Sequence, residues 1–173
     1  PFLVRLTSSW PLKQVRMFWL GKSVQVSVSQ WNDYHVALGM MGSDVRSADP
    51  GEHQLMVKAE VGGQSRTFRR NVRLRERTSP VQRLSVDPKM VTPPEKALER
   101  IRRERQEIAE ALSVVSSERR WTTPFLRPVD GRVSGVYGLQ RVFNGEPRSR
   151  HRGLDTAANQ GTPVKAAADG TVV

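Results

Sequence analysis

Apolar and polar residues alternate through most of the first 75 positions. Gln14–Trp19 and Ser23–Ser29 alternate on either side of Gly21-Lys22, a tight connection, and place Val24, Val26 and Val28 on one face. Tyr34–Leu38 offers a third strand. Asp49-Pro50-Gly51 is a turn, because proline presets φ and glycine accepts a positive one. His53–Val61 follows as a strand, and Gly62-Gly63 turns the chain into Ser65–Arg75. Short strands separated by turns predict a small antiparallel sandwich. In the last strand Phe68, Val72 and Leu74 share one parity and Arg69, Arg73 and Arg75 the other, an apolar core face backed by a basic solvent face. Arg66, Arg70 and Arg77 complete the arginine cluster.

The period changes after Pro80. Residues 80–94 read as a connector, and a helix then starts with Thr92 as N-cap, Pro93 at the first helical position and Glu95 three residues after the cap. Leu98, Ile101, Ile108, Leu112 and Val115 form one stripe at three/four spacing, broken by Arg105; the other faces are charged (Arg100, Arg102, Arg103, Glu104, Glu107, Glu110). This predicts one amphipathic helix packed on a neighbour rather than a coiled coil, for which two to three heptads are marginal. Ser116-Ser117-Glu118-Arg119-Arg120 ends it, and Thr122-Thr123-Pro124 is a second linker.

From Phe125 the chain becomes glycine-punctuated β. Asp130-Gly131 and Asp169-Gly170 read as hairpin-type turns, with Val164, Ala166 and Ala168 alternating along the strand before the second. Only Thr171, Val172 and Val173 remain for a returning strand, so the pattern predicts a chain cut short inside a sheet, with an exposed edge through which copies could associate. The expected fold is mainly β. Residues 1–90 form a small N-terminal antiparallel β-sandwich, 91–123 a connecting helix and linker, and 124–173 the first part of a truncated antiparallel β domain.

Composition narrows the class. Hydrophobic residues make up 37%, enough for modest cores, while 26% charged residues exclude an integral membrane protein. Arg5, Lys13 and Arg16 interrupt the longest apolar-leaning segment near the start, so no transmembrane segment is expected. No charged-then-apolar signal is present, and Pro1 suggests a processed N-terminus. Zero cysteines exclude disulfides and thiolate metal sites, and are compatible with an oxidising envelope compartment. A formal charge of +11 implies attraction to polyanions: nucleic acid, anionic lipid or acidic wall polymers. The basic face of 65–75 is either a solvated face or a polyanion-binding stripe. No aromatic residue interleaves on it, so a stacking platform for single strands is not expected.

The chemistry gathers at His151-Arg152-Gly153-Leu154-Asp155. Imidazole and carboxylate are ordinary zinc ligands. Four residues along an extended strand separate them by about 13 Å, too far to share an ion. The glycine and the β-texture oppose a helix, which leaves a bend at or near Gly153. Alone, this spacing equally describes a surface His/Asp pair, and two side chains do not close a zinc site.

Gly131-Arg132-Val133-Ser134-Gly135-Val136-Tyr137-Gly138, Arg141-Val142-Phe143-Asn144-Gly145, Pro147-Arg148, His151-x-Gly153-x-Asp155, Gly161-Thr162-Pro163-Val164 and Ala168-Asp169-Gly170-x-Val172 follow one another in order. Together they resemble the LytM/lysostaphin-type zinc metallopeptidases, which cut peptide cross-bridges of peptidoglycan. The resemblance covers residues 124–173. Residues 14–120 are similar to the β-sandwich and helix that precede the catalytic domain in Gram-negative members, through Asp49-Pro50-Gly51-Glu52-His53 and Thr92-Pro93-Pro94.

The resemblance implies a catalytic domain of the duplicated hybrid motif type, one Zn2+ ion, and His151 and Asp155 as the first two zinc ligands. The family's third ligand and its catalytic His lie on later strands and have no match here; His35 and His53 read as structural or surface residues of the N-terminal sandwich. Arg141 and Asn144 match positions lining the family's groove, where Asn144 is either a substrate contact or, beside Gly145, a turn residue. The expectation is therefore a fragment of a zinc metalloendopeptidase of the bacterial envelope, periplasmic, with peptidoglycan as partner, binding zinc weakly and inactive by itself. One alternative is a non-catalytic wall-binding or amidase-activating module of the same family. The other is a basic nucleic-acid-binding protein, although no nucleic-acid motif accompanies the charge and no specific nucleic acid is expected.

Overall fold

Alternation becomes strand pairing over most of residues 2–74. The computed structural model describes residues 1–45, 47–76, 78–88, 92–114, 116 and 118–172; Arg77, Val115, Ser117 and Val173, named above, lie outside the described residues. The chain is mainly β with one long helix. By contact it divides into two compact units, Pro1–Arg77 with Ser117–Arg119, and Thr78–Ser116 with Arg120–Val173.

The first unit contains β1 (Phe2–Ser8), β2 (Leu12–Trp19), β3 (Lys22–Gln25), β4 (Val28–Trp31), β5 (Tyr34–Met41), β6 (Gly51–Val61) and β7 (Gln64–Leu74). Two antiparallel sheets, β1-β5-β4 and β3-β2-β6-β7, share one core. The first contributes Val4, Ala37 and Met41, the second Leu12, Val15, Met17, Trp19, Leu55, Val57 and Ala59. Gly39 of β5 faces Met17 so closely that a Cβ on it would lie 2.6 Å from the Met17 sulfur. This is the sandwich that the alternation predicts.

Three details differ from the sequence pattern. Residues ahead of Gln14, where no strand is expected, form β1, which pairs β5 from Phe2↔Met41 to Ser8↔His35 with Arg5 exposed. The single strand expected over Ser23–Ser29 is two, β3 in one sheet and β4 in the other, and buried Val26 makes the crossing with its N–H donating to the Val15 carbonyl. In β2 the register with β6 shifts between Lys13 and Arg16, with Gln14 at φ 49°. That bulge lets Leu12 and Val15 both face inward although they are an odd number of positions apart.

β7 is an edge strand, joined to β6 through Gly62-Gly63 at φ 56° and 80°. Val72 and Leu74 pack on the core as expected, but Phe68 is 42% exposed. Register pairs Arg66, Phe68 and Arg70 with Ala59, Val57 and Leu55, so these three lie on one side. Arg69 and Arg73, opposite Met56 and Glu52, lie on the other side with no aromatic between them, while Phe68 shares its side with Arg66 and Arg70. Charges turned inward on an edge strand oppose pairing with another chain.

The second unit contains β8 (Val81–Leu84), α1 (Glu95–Ser113), β9 (Arg132–Gly135), β10 (Gln140–Phe143), β11 (Glu146–Pro147) and β12 (Asp155–Ala157). β8 arises inside the expected connector and pairs with β10 in parallel, while β11 completes that sheet and β12 pairs β9 antiparallel. α1 starts at Glu95 with Pro94 as its N-cap and no side-chain cap, not at Thr92. A residue before proline is pushed out of the α region, so Pro94 keeps Pro93 extended. No residue of α1 is buried, and Ile108 and Leu112 are 58% and 80% exposed, so these two stripe positions are uncovered rather than packed.

The hairpin lies at Asn144-Gly145, φ 50° and 86°, and not at Asp130-Gly131 or Asp169-Gly170. Gly131 serves close approach instead: a Cβ there would collide with the Ala157 carbonyl oxygen. Val164–Ala168 is not a strand, although Lys165 N–H donates to the Pro128 carbonyl and Leu126 N–H to the Ala167 carbonyl. Thr171 and Val172 form no strand edge either; the Thr171 hydroxyl accepts from Arg120 Nη1. No helix among the described residues is long and apolar enough to cross a membrane.

Met17 is fully buried between the sheets, so Met17→Ala is expected to lower stability by about 2–5 kcal/mol, against about 0.5 kcal/mol or less for Leu112→Ala on the uncovered helix face. Urea unfolding followed by far-ultraviolet circular dichroism measures both.

Candidate functional site

The His/Asp pair is assembled by backbone hydrogen bonds. His151 N–H donates to the Leu139 carbonyl (2.9 Å) and Gly138 N–H to the His151 carbonyl (2.8 Å), which ties the histidine to the one buried apolar side chain of the second unit among the described residues, Leu139. Four positions later Asp155 opens β12, opposite Gly135 of β9. The chain bends at Gly153, and the two side chains meet: His151 Nε2 lies 3.1 Å from Asp155 Oδ1. The bend expected near Gly153 is therefore present. Its φ is not left-handed, and a Cβ there would make only ordinary contact with the imidazole, 3.7 Å at the nearest atom. Backbone strain is not what the glycine relieves.

The imidazole is 16% exposed and its Nε2 is buried. Although Oδ1 lies close by, Nε2 has no hydrogen-bond partner. A buried ring nitrogen without a partner costs free energy that a bound proton donor or metal would recover. Asp155 Oδ2 accepts from Arg141 Nη2 of β10, which leaves Oδ1 turned toward the histidine. Arg141 thus belongs to the site.

Asn144 is used differently. Its Nδ2 donates to the Val86 carbonyl (2.9 Å) and its Oδ1 accepts from the Val86 N–H (3.0 Å), so the side chain clamps the segment after β8 to the β10–β11 turn. His35 and His53 belong to the first unit; His53 Nε2 lies 2.8 Å from the Asp49 carbonyl oxygen, and its ring meets Trp19 edge to face.

Gly135 is a site residue that the motif reading passes over. A Cβ on it would fall 2.6 Å from Asp155 Oδ2 and 3.0 Å from Arg141 Nη2. The carboxylate and guanidinium therefore fill the space a side chain would take. A glycine inside a strand signals such an approach, but not toward which residue.

His151 and Asp155 offer two of the donors a zinc ion takes, and the unpartnered Nε2 beside Oδ1 fits that use. Among the described residues no three His, Cys, Asp or Glu side chains are grouped as a closed metal site requires. Comparison with known proteins adds no assignment: neither a family model nor a curated protein matches the chain.

Two glycine substitutions separate these roles. Gly135→Ala is expected to lower stability by about 1–3 kcal/mol through overpacking, whereas Gly153→Ala is expected to be neutral or to stabilise by up to about 1 kcal/mol. Thermal unfolding of the two variants measures the contrast.

Proposed function

We propose that this chain carries the first two ligands of the zinc centre of an envelope endopeptidase that hydrolyses peptide cross-links of peptidoglycan. One observation supports the reading above the others: the buried Nε2 of His151, without a hydrogen-bond partner, converges with Asp155 Oδ1. The ordered likeness of residues 124–173 to the LytM/lysostaphin-type enzymes supplies the substrate class. A bound zinc ion would lower the pKa of water toward about 7 and polarise the scissile carbonyl. The chain's own residues would hold and orient. The Leu139–His151 backbone bonds fix the imidazole, and Arg141 holds one carboxylate oxygen so that the other faces the ring, an outer-shell role that sets ligand geometry. A third ligand and a proton-transferring histidine would come from outside the described residues.

With two ligands, the 173-residue chain is expected to bind zinc more weakly than micromolar and to release no soluble fragments from purified peptidoglycan. Zinc titration followed by nuclear magnetic resonance of the imidazoles should shift His151 and leave His35 and His53 in place, and His151→Ala and Asp155→Ala should each abolish the response. In any longer form of this chain that solubilises peptidoglycan, the same substitutions should abolish that activity. Unchanged solubilisation in those variants, or no response of His151 to millimolar zinc, overturns the reading.

A further inference from the structure

Arg105 interrupts the apolar stripe of α1, and the structure gives the interruption a use. Leu98, Ile101, Arg102 and Arg105 fall at i, i+3, i+4 and i+7, one face of the helix. All four line a groove of about 520 Å³, together with Arg141 and Phe143 of β10 and with Arg148. The lining carries four guanidinium groups and no carboxylate. Glu95 pairs with Arg102 and Asp155 with Arg141, whereas Arg105 has no ion pair among the described residues. Arg102 and Arg141 are thus already neutralised in part, and the positive charge in excess at the opening, that of Arg105 foremost, attracts an anion.

The groove is not only cationic. Leu98, Ile101 and Phe143 give it an apolar lining, and its volume lies in the range of small-ligand pockets. Planar guanidinium forks match a carboxylate bidentately, and the apolar side chains suit small alkyl groups next to it. A polynucleotide would need a continuous basic track with successive aromatic platforms, and the lining holds a single aromatic residue.

We infer that this groove binds the carboxylate-bearing end of a short peptide with small apolar side chains. Arg141 both lines the groove and holds Asp155, so the peptide end comes to lie beside the His151/Asp155 pair. In placing a substrate there, the inference rests on the endopeptidase reading; the binding itself does not.

The probe is trialanine labelled at its N-terminus, as the free acid and as the C-terminal amide, read by fluorescence polarisation against the full chain without added metal. The acid should bind about tenfold or more tightly than the amide, with affinity falling as salt rises. Arg105→Ala should remove most of the discrimination. The substitution favours the helix, and circular dichroism confirms that the variant folds. Arg69→Ala on β7 removes the same charge from the other unit and should leave discrimination intact. Equal binding of acid and amide, or equal weakening by Arg69→Ala and Arg105→Ala, overturns the inference. Acid-selective binding without a zinc response at His151 would sink the endopeptidase reading and keep the groove. A zinc response without acid selectivity would do the reverse.

Discussion

The second unit is held by its main chain more than by a core. Leu139 is its one buried apolar side chain among the described residues, whereas the sandwich buries eleven, Met17 among them. What fixes His151 is therefore a pair of backbone hydrogen bonds to residues 138 and 139, and what fixes Asp155 is its pairing with Gly135. Gln140 N–H bonds the Pro80 carbonyl and Asn144 N–H the Leu84 carbonyl, so β10 takes its place from the same kind of contact. Net hydrogen-bond contributions are about 1 kcal/mol each, against about 2 kcal/mol for burying a large aliphatic side chain. A site built this way is aligned by geometry but opens locally at low cost.

Where side chains alternate against a shared core, sequence and structure agree. β5, β6 and the Gly62-Gly63 hairpin read directly, because period and turn chemistry are local. β8 does not, since four residues become a strand only when β10 arrives about sixty positions later. The hairpin dipeptides show the same limit: Asp130-Gly131 and Asn144-Gly145 have similar turn chemistry, yet only the second lies between strands that pair, and Gly131 answers to the Ala157 carbonyl instead.

The site follows this division. His151 and Asp155 are legible because their spacing and the glycine between them are local, and the structure brings them to 3.1 Å. Gly135 is not, because its contribution is empty space for a carboxylate twenty positions away. Arg141 is legible only through resemblance, and its partner only through the fold. Arg105, a flaw in an amphipathic stripe, acquires meaning once β10 is seen opposite it. The net charge of +11 is likewise not one property. Some arginines protect an edge strand, some lace the helix to glutamates four residues on, and a few converge.

The crossing of Val26 and Ser27 from one sheet to the other sets a mechanical condition on the sandwich. From Gln25 at the end of β3 to Val28 at the start of β4 there are three residue steps, which span about 10 Å when extended, the usual distance between packed sheets. The connection is short. Sliding or lifting one sheet strains it and loads the ladder bonds of β3 and β4, so the two layers are expected to lose their structure together.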